Sequence, residues 1–243
     1  MPAATWLDRH PEWWVLALSA GAWLALVWFT APMAAGSLCI VGRGGLAGDV
    51  AGRLMAQWRT GALDQMLGTW AMMALAMAPP LTMPMLRYVA ARSFAFRRMR
   101  ALALFVIGLL CPWLAAGVLG VALLAAAPAP GGRFGAIAFV LAALWEITPF
   151  KRRALRRCHR TMPLAADGWR ADRDCFAFGC ARGQDCLIGC WAMMLAVMFA
   201  DHAPAAILVT QAMAFAQRRV REPRVECCAV VLAAFGALLL VRL

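Results

Sequence analysis

The chain alternates long uncharged apolar runs with short segments that hold nearly all of its charge. Positions 13–31, 101–130 and 187–200 contain no Asp, Glu, Lys or Arg. A run of about 18 or more apolar residues is long enough to cross the hydrocarbon core of a bilayer as a helix. Backbone in that core must bond to itself, so helices are expected rather than open sheet. The pattern predicts spans over 13–35, 66–86, 101–126, 134–148, 186–200, a short sixth ending near Gln217, and 227–243. Pro79, Pro80 and Pro84 remove backbone donors from the second span and should kink or break it. The fold class is therefore an all-α polytopic bundle of about seven spans, or six if spans five and six form one re-entrant unit.

Between the spans, two segments are distinct. Residues 36–64 are glycine-rich, but Leu46, Val50, Leu54 and Trp58 recur every four residues. That is one helical face, and it predicts an amphipathic helix on the outer membrane surface. Residues 151–185 form the longest polar segment and are expected to be a basic cytoplasmic loop with few apolar core contacts. The whole chain, 1–243, reads as a single integral membrane domain. The stretch 1–12 precedes an apolar run too long for a signal-peptide core, so the first span is expected to be retained.

Charge supports this picture. The net charge is +12, almost wholly from arginine, with Lys151 the only lysine. In a soluble protein such a balance suggests nucleic acid. Here the arginines flank apolar spans, and positive-inside anchoring against lipid headgroups explains them without a nucleic-acid partner. With seven spans the great majority of the 24 Lys/Arg fall on one side: Arg9 and the clusters at 87–100, 151–182 and 218–224. That side is the cytoplasm of a bacterial inner membrane. The N-terminus is then cytoplasmic and the C-terminus periplasmic.

Three groups of residues could carry chemistry. Met66, Trp70, Met73 and Met77 share one face of the second span, and thioethers suit Cu(I). They could equally fill gaps beside a kinked helix. The second group is Trp145-Glu146 followed by Thr148-Pro149 and the basic run 151–157, ending at Cys158-His159. It reads as an interfacial basic helix, with Glu146 a partner for Arg152 or Arg153, or a functional carboxylate. In the third, Cys186, Cys190 and Met194 are spaced i, i+4, i+8 on one face of the fifth span. This is the best soft-metal constellation in the chain; buried thiols packing a dry interface are the alternative. Asp201 and His202 sit at the end of that span. The nine cysteines are scattered, lack a Cys-x2-Cys pair, and read mostly as free thiols.

Together these segments resemble a bacterial family of predicted metal-binding integral membrane proteins. The resemblance rests on Trp70-x2-Met73-x2-Ala76-Met77, Gly108-x4-Trp113, Thr148-Pro149-x-Lys151, and Gly179-x3-Gly183-x2-Cys186-x3-Cys190-Trp191-x-Met193-Met194. It covers roughly residues 65–217. It implies Cys158, Cys186 and Cys190 as metal residues, with Met73 and Met77 as soft neighbours. The family pattern has Tyr-Gln at Trp145-Glu146, Cys at Ala154, His at Arg182 and Cys-Cys at Gly189-Cys190. Three of its potential ligands are thus absent here. The resulting expectation is a non-catalytic membrane protein that binds or moves a soft metal, with copper the expected ion. The alternative is a structural subunit of a larger membrane complex with the metal site lost. A thiol oxidoreductase is disfavoured by the missing Cys-x2-Cys motif.

Overall fold

The computed structural model describes residues 10, 12–30, 55, 58–59, 61–126, 133–199, 204–219 and 225–241. Among these there is no strand. The helices are α1 (Trp13–Thr30), α2 (Ala62–Leu81), α3 (Met83–Arg92), α4 (Arg98–Ala126), α5 (Arg133–Glu146), α6 (Pro149–Arg157), α7 (Gly168–Phe199), α8 (Pro204–Arg219) and α9 (Val225–Val241). The predicted surface helix within 36–64 lies almost entirely outside the described residues, and Asp201-His202 lies wholly outside them.

The bundle is organised around α7. Its most extensive partner is α4, and α5, α6 and α8 pack around the remainder. Helix α2 leans on α4, α1 on α2, and α9 on α5. The α4–α7 contact is close because glycines face backbone. A Cβ on Gly108 would come within 3.1 Å of the Cys180 amide nitrogen. One on Gly179 would come within 2.9 Å of the Leu109 nitrogen, and one on Gly183 within 3.1 Å of Pro112. The glycines in the sequence motif thus set how nearly two helices approach.

The α2–α3 junction breaks where the prolines predict. The helix ends at Leu81, Thr82 bonds back to Pro79, and α3 departs at 69°. Pro84, in the first turn of α3, sits where a missing N–H costs nothing.

Segment 151–185 differs from the expected loop. Thr148 caps α6, its side chain accepting from the Lys151 amide, and Pro149 opens the first turn. From Gly168 onward the chain is continuous helix into the apolar stretch. Leu155, Cys158, Leu164, Ala171, Cys175 and Phe178 are buried. The polar residues do not force a loop because they are paired: Arg97 and Arg100 both reach Asp172, and Arg182 reaches Asp185 at 3.0 Å.

One end of the bundle is tied by polar contacts between segments far apart in sequence. Arg87 Nε donates to Glu12 at 3.1 Å and Tyr88 Oη to the Met162 carbonyl at 2.9 Å. Arg97 donates to the Ala166 carbonyl, and Arg152 to Glu226 at 2.8 Å. Large apolar side chains also face outward, among them Leu24, Trp28, Val118, Leu119, Leu141 and Val230, and Phe96 and Trp169 close to the polar contacts in sequence.

By length and composition, one described helix, Ala95–Ala122, can cross a membrane alone. The bent pair Leu63–Leu81 and Met83–Arg92 makes a second if taken together. Trp13–Trp28, Ala136–Glu146 and Val225–Leu238 are apolar but shorter. The described helices therefore fall short of the seven crossings that hydropathy predicts. Several of them end against residues outside the described set.

Candidate metal centre

Helices α2, α4, α7 and α8 converge on a small cavity of about 10 Å³, close to the least that holds one water-sized occupant. From α7 its wall takes Cys186, Cys190, Met193 and Met194; from α2, Met77; from α4, Trp113. Sulfur dominates the heteroatoms on this wall. The Thr210 hydroxyl, from α8, is already spent on the Ala206 and Ile207 carbonyls. Cys186 and Cys190 lie one turn apart and line the same cavity. Thiolate and thioether donors in a dry pocket favour a soft monovalent ion over hard cations.

The walls are held from several sides. Trp70 Nε1 donates to the Trp113 carbonyl at 2.7 Å, and the two indoles pack at 5.9 Å. Gly117 leaves room for the Trp70 ring. Trp145 Nε1 donates to the Ile188 carbonyl at 2.9 Å and its ring meets Trp191 edge-on. This fixes α7 between Cys186 and Cys190.

Of the six residues expected from the sequence, four meet at the cavity: Cys186, Cys190, Met194 and Met77. Met73 is fully buried in the core but does not line the cavity wall. The reason is angular: Ala74, Met77, Ala78 and Leu81 form the face that α2 turns to α7 and α8. Cys158 lines a neighbouring cavity of about 30 Å³ with Met85, Arg182 and Arg218, and Leu81 borders both cavities. Burial pushes the Cys158 thiol up, while Arg218 pulls it down. His159 is exposed beside it. Cys175 and Cys180 lie further along α7; the former is buried near Arg97 and Asp172. The described cysteines are all free thiols. Among the described residues no three His, Cys, Asp or Glu side chains gather closely enough to hold a metal ion. What the cavity offers is a pair of thiols with thioether neighbours.

Two features escaped sequence reasoning. Glu146 does not partner Arg152 or Arg153. It pairs with Lys151, both side chains being fully buried, and accepts from Gln217 at 2.7 Å. The five-residue spacing across Thr148-Pro149 hid this, because the chain turns there rather than continuing as one helix. Met193 is the other. It stands i+3 from Cys190 and i+7 from Cys186, a spacing that also returns to the same face.

A family model described as PpoB2, copper chaperone, matches residues 67–240. The chain belongs to the PpoB2 copper chaperone family. No curated protein and no solved structure matches it. The family description makes the expected metal-binding role specific to copper and carries no statement about a membrane. The match runs from Leu67 in α2 to Leu240 in α9, so every residue on the sulfur-lined wall lies within it. That description fits non-catalytic copper handling.

Proposed function

We propose that this chain is a multi-pass copper chaperone of a bacterial inner membrane, holding Cu(I) between Cys186 and Cys190. Met77, Met193 and Met194 supply thioethers around the thiolate pair. The observation that carries this reading is the convergence of five sulfur-bearing side chains from two helices on one buried cavity. Two thiolates suffice for Cu(I), so the lack of a third Cys, His or carboxylate ligand among the described residues is no obstacle. Cys158, behind Leu81, is a second soft donor on a route between the cavity and the polar end of the bundle.

The membrane assignment is supported by outward-facing apolar side chains such as Trp28 and Leu24, 78% and 73% exposed. Water would disfavour so broad an apolar exterior, whereas lipid or a membrane partner would cover it. The polar contacts join residues near Glu12, 87–100, 152–172 and Glu226 at one end. Those are the segments that the positive-inside rule groups as cytoplasmic. Seven crossings, with the N-terminus inside and the C-terminus outside, fit that grouping.

The experiment is metal loading. Purified full-length protein, reconstituted with Cu(I), is expected to hold near-stoichiometric copper, and Cys186→Ser with Cys190→Ser to abolish it. A double mutant that binds as well as wild type would sink the reading. A chain that binds no copper but co-purifies at fixed stoichiometry with another membrane protein would favour the structural-subunit alternative.

A further inference from the structure

Arg218, on α8, stands on the wall of the Cys158 cavity, one helical turn beyond Ala214 of the sulfur-lined cavity, and Leu81 borders both. Its Nη1 reaches the Leu81 carbonyl at 3.5 Å. Its Nε and Nη2 are buried and have no hydrogen-bond partner. The other charges around the thiols are balanced locally. Lys151 is paired with Glu146, and Arg182 with Asp185. Among the described residues no carboxylate forms an ion pair with Arg218; Asp185, which acts on it electrostatically, is already paired with Arg182. A buried cation without a counter-ion is costly, so the site as folded carries an excess positive charge that an anionic occupant would relieve.

This rests on the Cu(I) reading above. Loading Cu(I) onto two neutral thiols releases two protons to water and forms two Cu–S bonds. The product, one monovalent cation between two thiolates, carries a net charge of minus one. With Arg218 beside it the centre is neutral. A divalent ion such as Zn(II) in the same pair gives a neutral bis-thiolate, and the Arg218 charge stays uncompensated. Thiolate softness alone does not separate these ions, since both Cu(I) and Zn(II) accept cysteine.

We infer that Arg218 is the specificity-determining counter-charge of the centre, favouring a monovalent cuprous bis-thiolate over divalent soft ions. It is a positioning residue: it acts on the thiolate pair through its charge and does not line the cavity that holds the metal. Its contribution appears as a ratio of affinities, not merely as affinity.

The test uses the full chain in detergent, with Cu(I) buffered by a competing chromophoric chelator and Zn(II) buffered likewise. Arg218→Gln keeps hydrogen-bond donors and removes the charge. It is expected to lower the Cu(I)-to-Zn(II) affinity ratio about ten- to a hundredfold, the range for partners that hold metal ligands. Arg218→Lys keeps the charge and should preserve most of the ratio; it carries the test if the glutamine variant does not fold. The Cu(I)–sulfur X-ray absorption signature should be the same in wild type and in both variants. An unchanged ratio in Arg218→Gln, or an equal loss for both ions, overturns the inference. So does a ratio lost in Arg218→Lys. If wild type binds no Cu(I), or Cys186→Ser with Cys190→Ser binds it normally, the site assignment itself fails and takes the inference with it. A selective wild type and an unselective Arg218→Gln are the supporting result.

Discussion

Lys151 donates to Glu146 across the turn between α5 and α6, and both side chains are fully removed from solvent. Gln217 of α8 closes the group by donating to the other carboxylate oxygen. The pair joins the start of the basic helix, the end of an apolar one and the helix carrying Arg218. Removing one partner strands a buried charge, which costs about 3–5 kcal/mol, whereas replacing both by apolar groups is often near neutral. Lys151→Met should therefore destabilise the folded chain strongly, and Glu146→Leu with Lys151→Met much less. Thermal unfolding of the two variants in detergent checks this; equal losses would mean the pair is not acting as a unit.

Gly179 and Gly120 make a matched contrast. A Cβ on Gly179 meets the Leu109 backbone nitrogen at 2.9 Å, while at Gly120 nothing lies within 4 Å. Backbone cannot rotate aside as a side chain can. Gly179→Ala is expected to cost about 1–3 kcal/mol through overpacking. Gly120→Ala should be neutral or stabilising by up to about 1 kcal/mol, since alanine is the better helix former. A melting temperature lowered by Gly179→Ala and not lowered by Gly120→Ala is the expected result.

Cys175 gives a pH dependence. Burial is the largest influence on its thiol and pushes it above its ordinary range, with Arg97 pulling the other way. The folded state then holds the proton more tightly than the unfolded chain. That stability is complete below the unfolded thiol's value of about 8.5 and is lost as pH rises through the folded one. The melting temperature of wild type should fall between about pH 8 and 10, and that of Cys175→Ala should fall less. Parallel curves would show that the thiol is not responsible.

The proposed topology has a direct readout. Reporter fusions at the two ends should place the N-terminus inside and the C-terminus outside. Both ends on one side would rule out an odd number of crossings. Impermeant thiol reagents applied from outside should then spare Cys158.

Met77 and Met73 separate the cavity from the core. Met77→Leu removes a thioether from the wall, whereas Met73→Leu replaces one buried away from it. Leucine and methionine are close in volume, so either swap usually costs under about 1.5 kcal/mol. Cu(I) affinity measured by chelator competition should drop for Met77→Leu and hold for Met73→Leu.

The sequence by itself determined the all-helical class, because its uncharged runs leave the backbone no other partner in an apolar surrounding. It also determined the break after Pro79-Pro80, since two missing donors in succession leave the helix unable to continue through that turn. The i, i+4, i+8 spacing placed Cys186, Cys190 and Met194 on one face, a consequence of helix geometry alone. What lay opposite that face was not legible. Which methionine of α2 reaches the thiols depends on how α2 rotates against α7, and that is set by Trp70 bonding to Trp113 and by glycines letting α4 close on α7. The basic segment 151–185 looked like solvated loop because charge density is a local property. Its folding into the body of the bundle depends on partners supplied from far along the chain: Asp172 is met by Arg97, and Arg152 by Glu226. Arg218 reads in sequence as one more arginine of a basic turn. Only the packing of α8 against α2 and α7 sets it on the wall of the Cys158 cavity, across Leu81 from the sulfur-lined one, because side-chain pairing across helices is decided by tertiary contact rather than by spacing along any one of them.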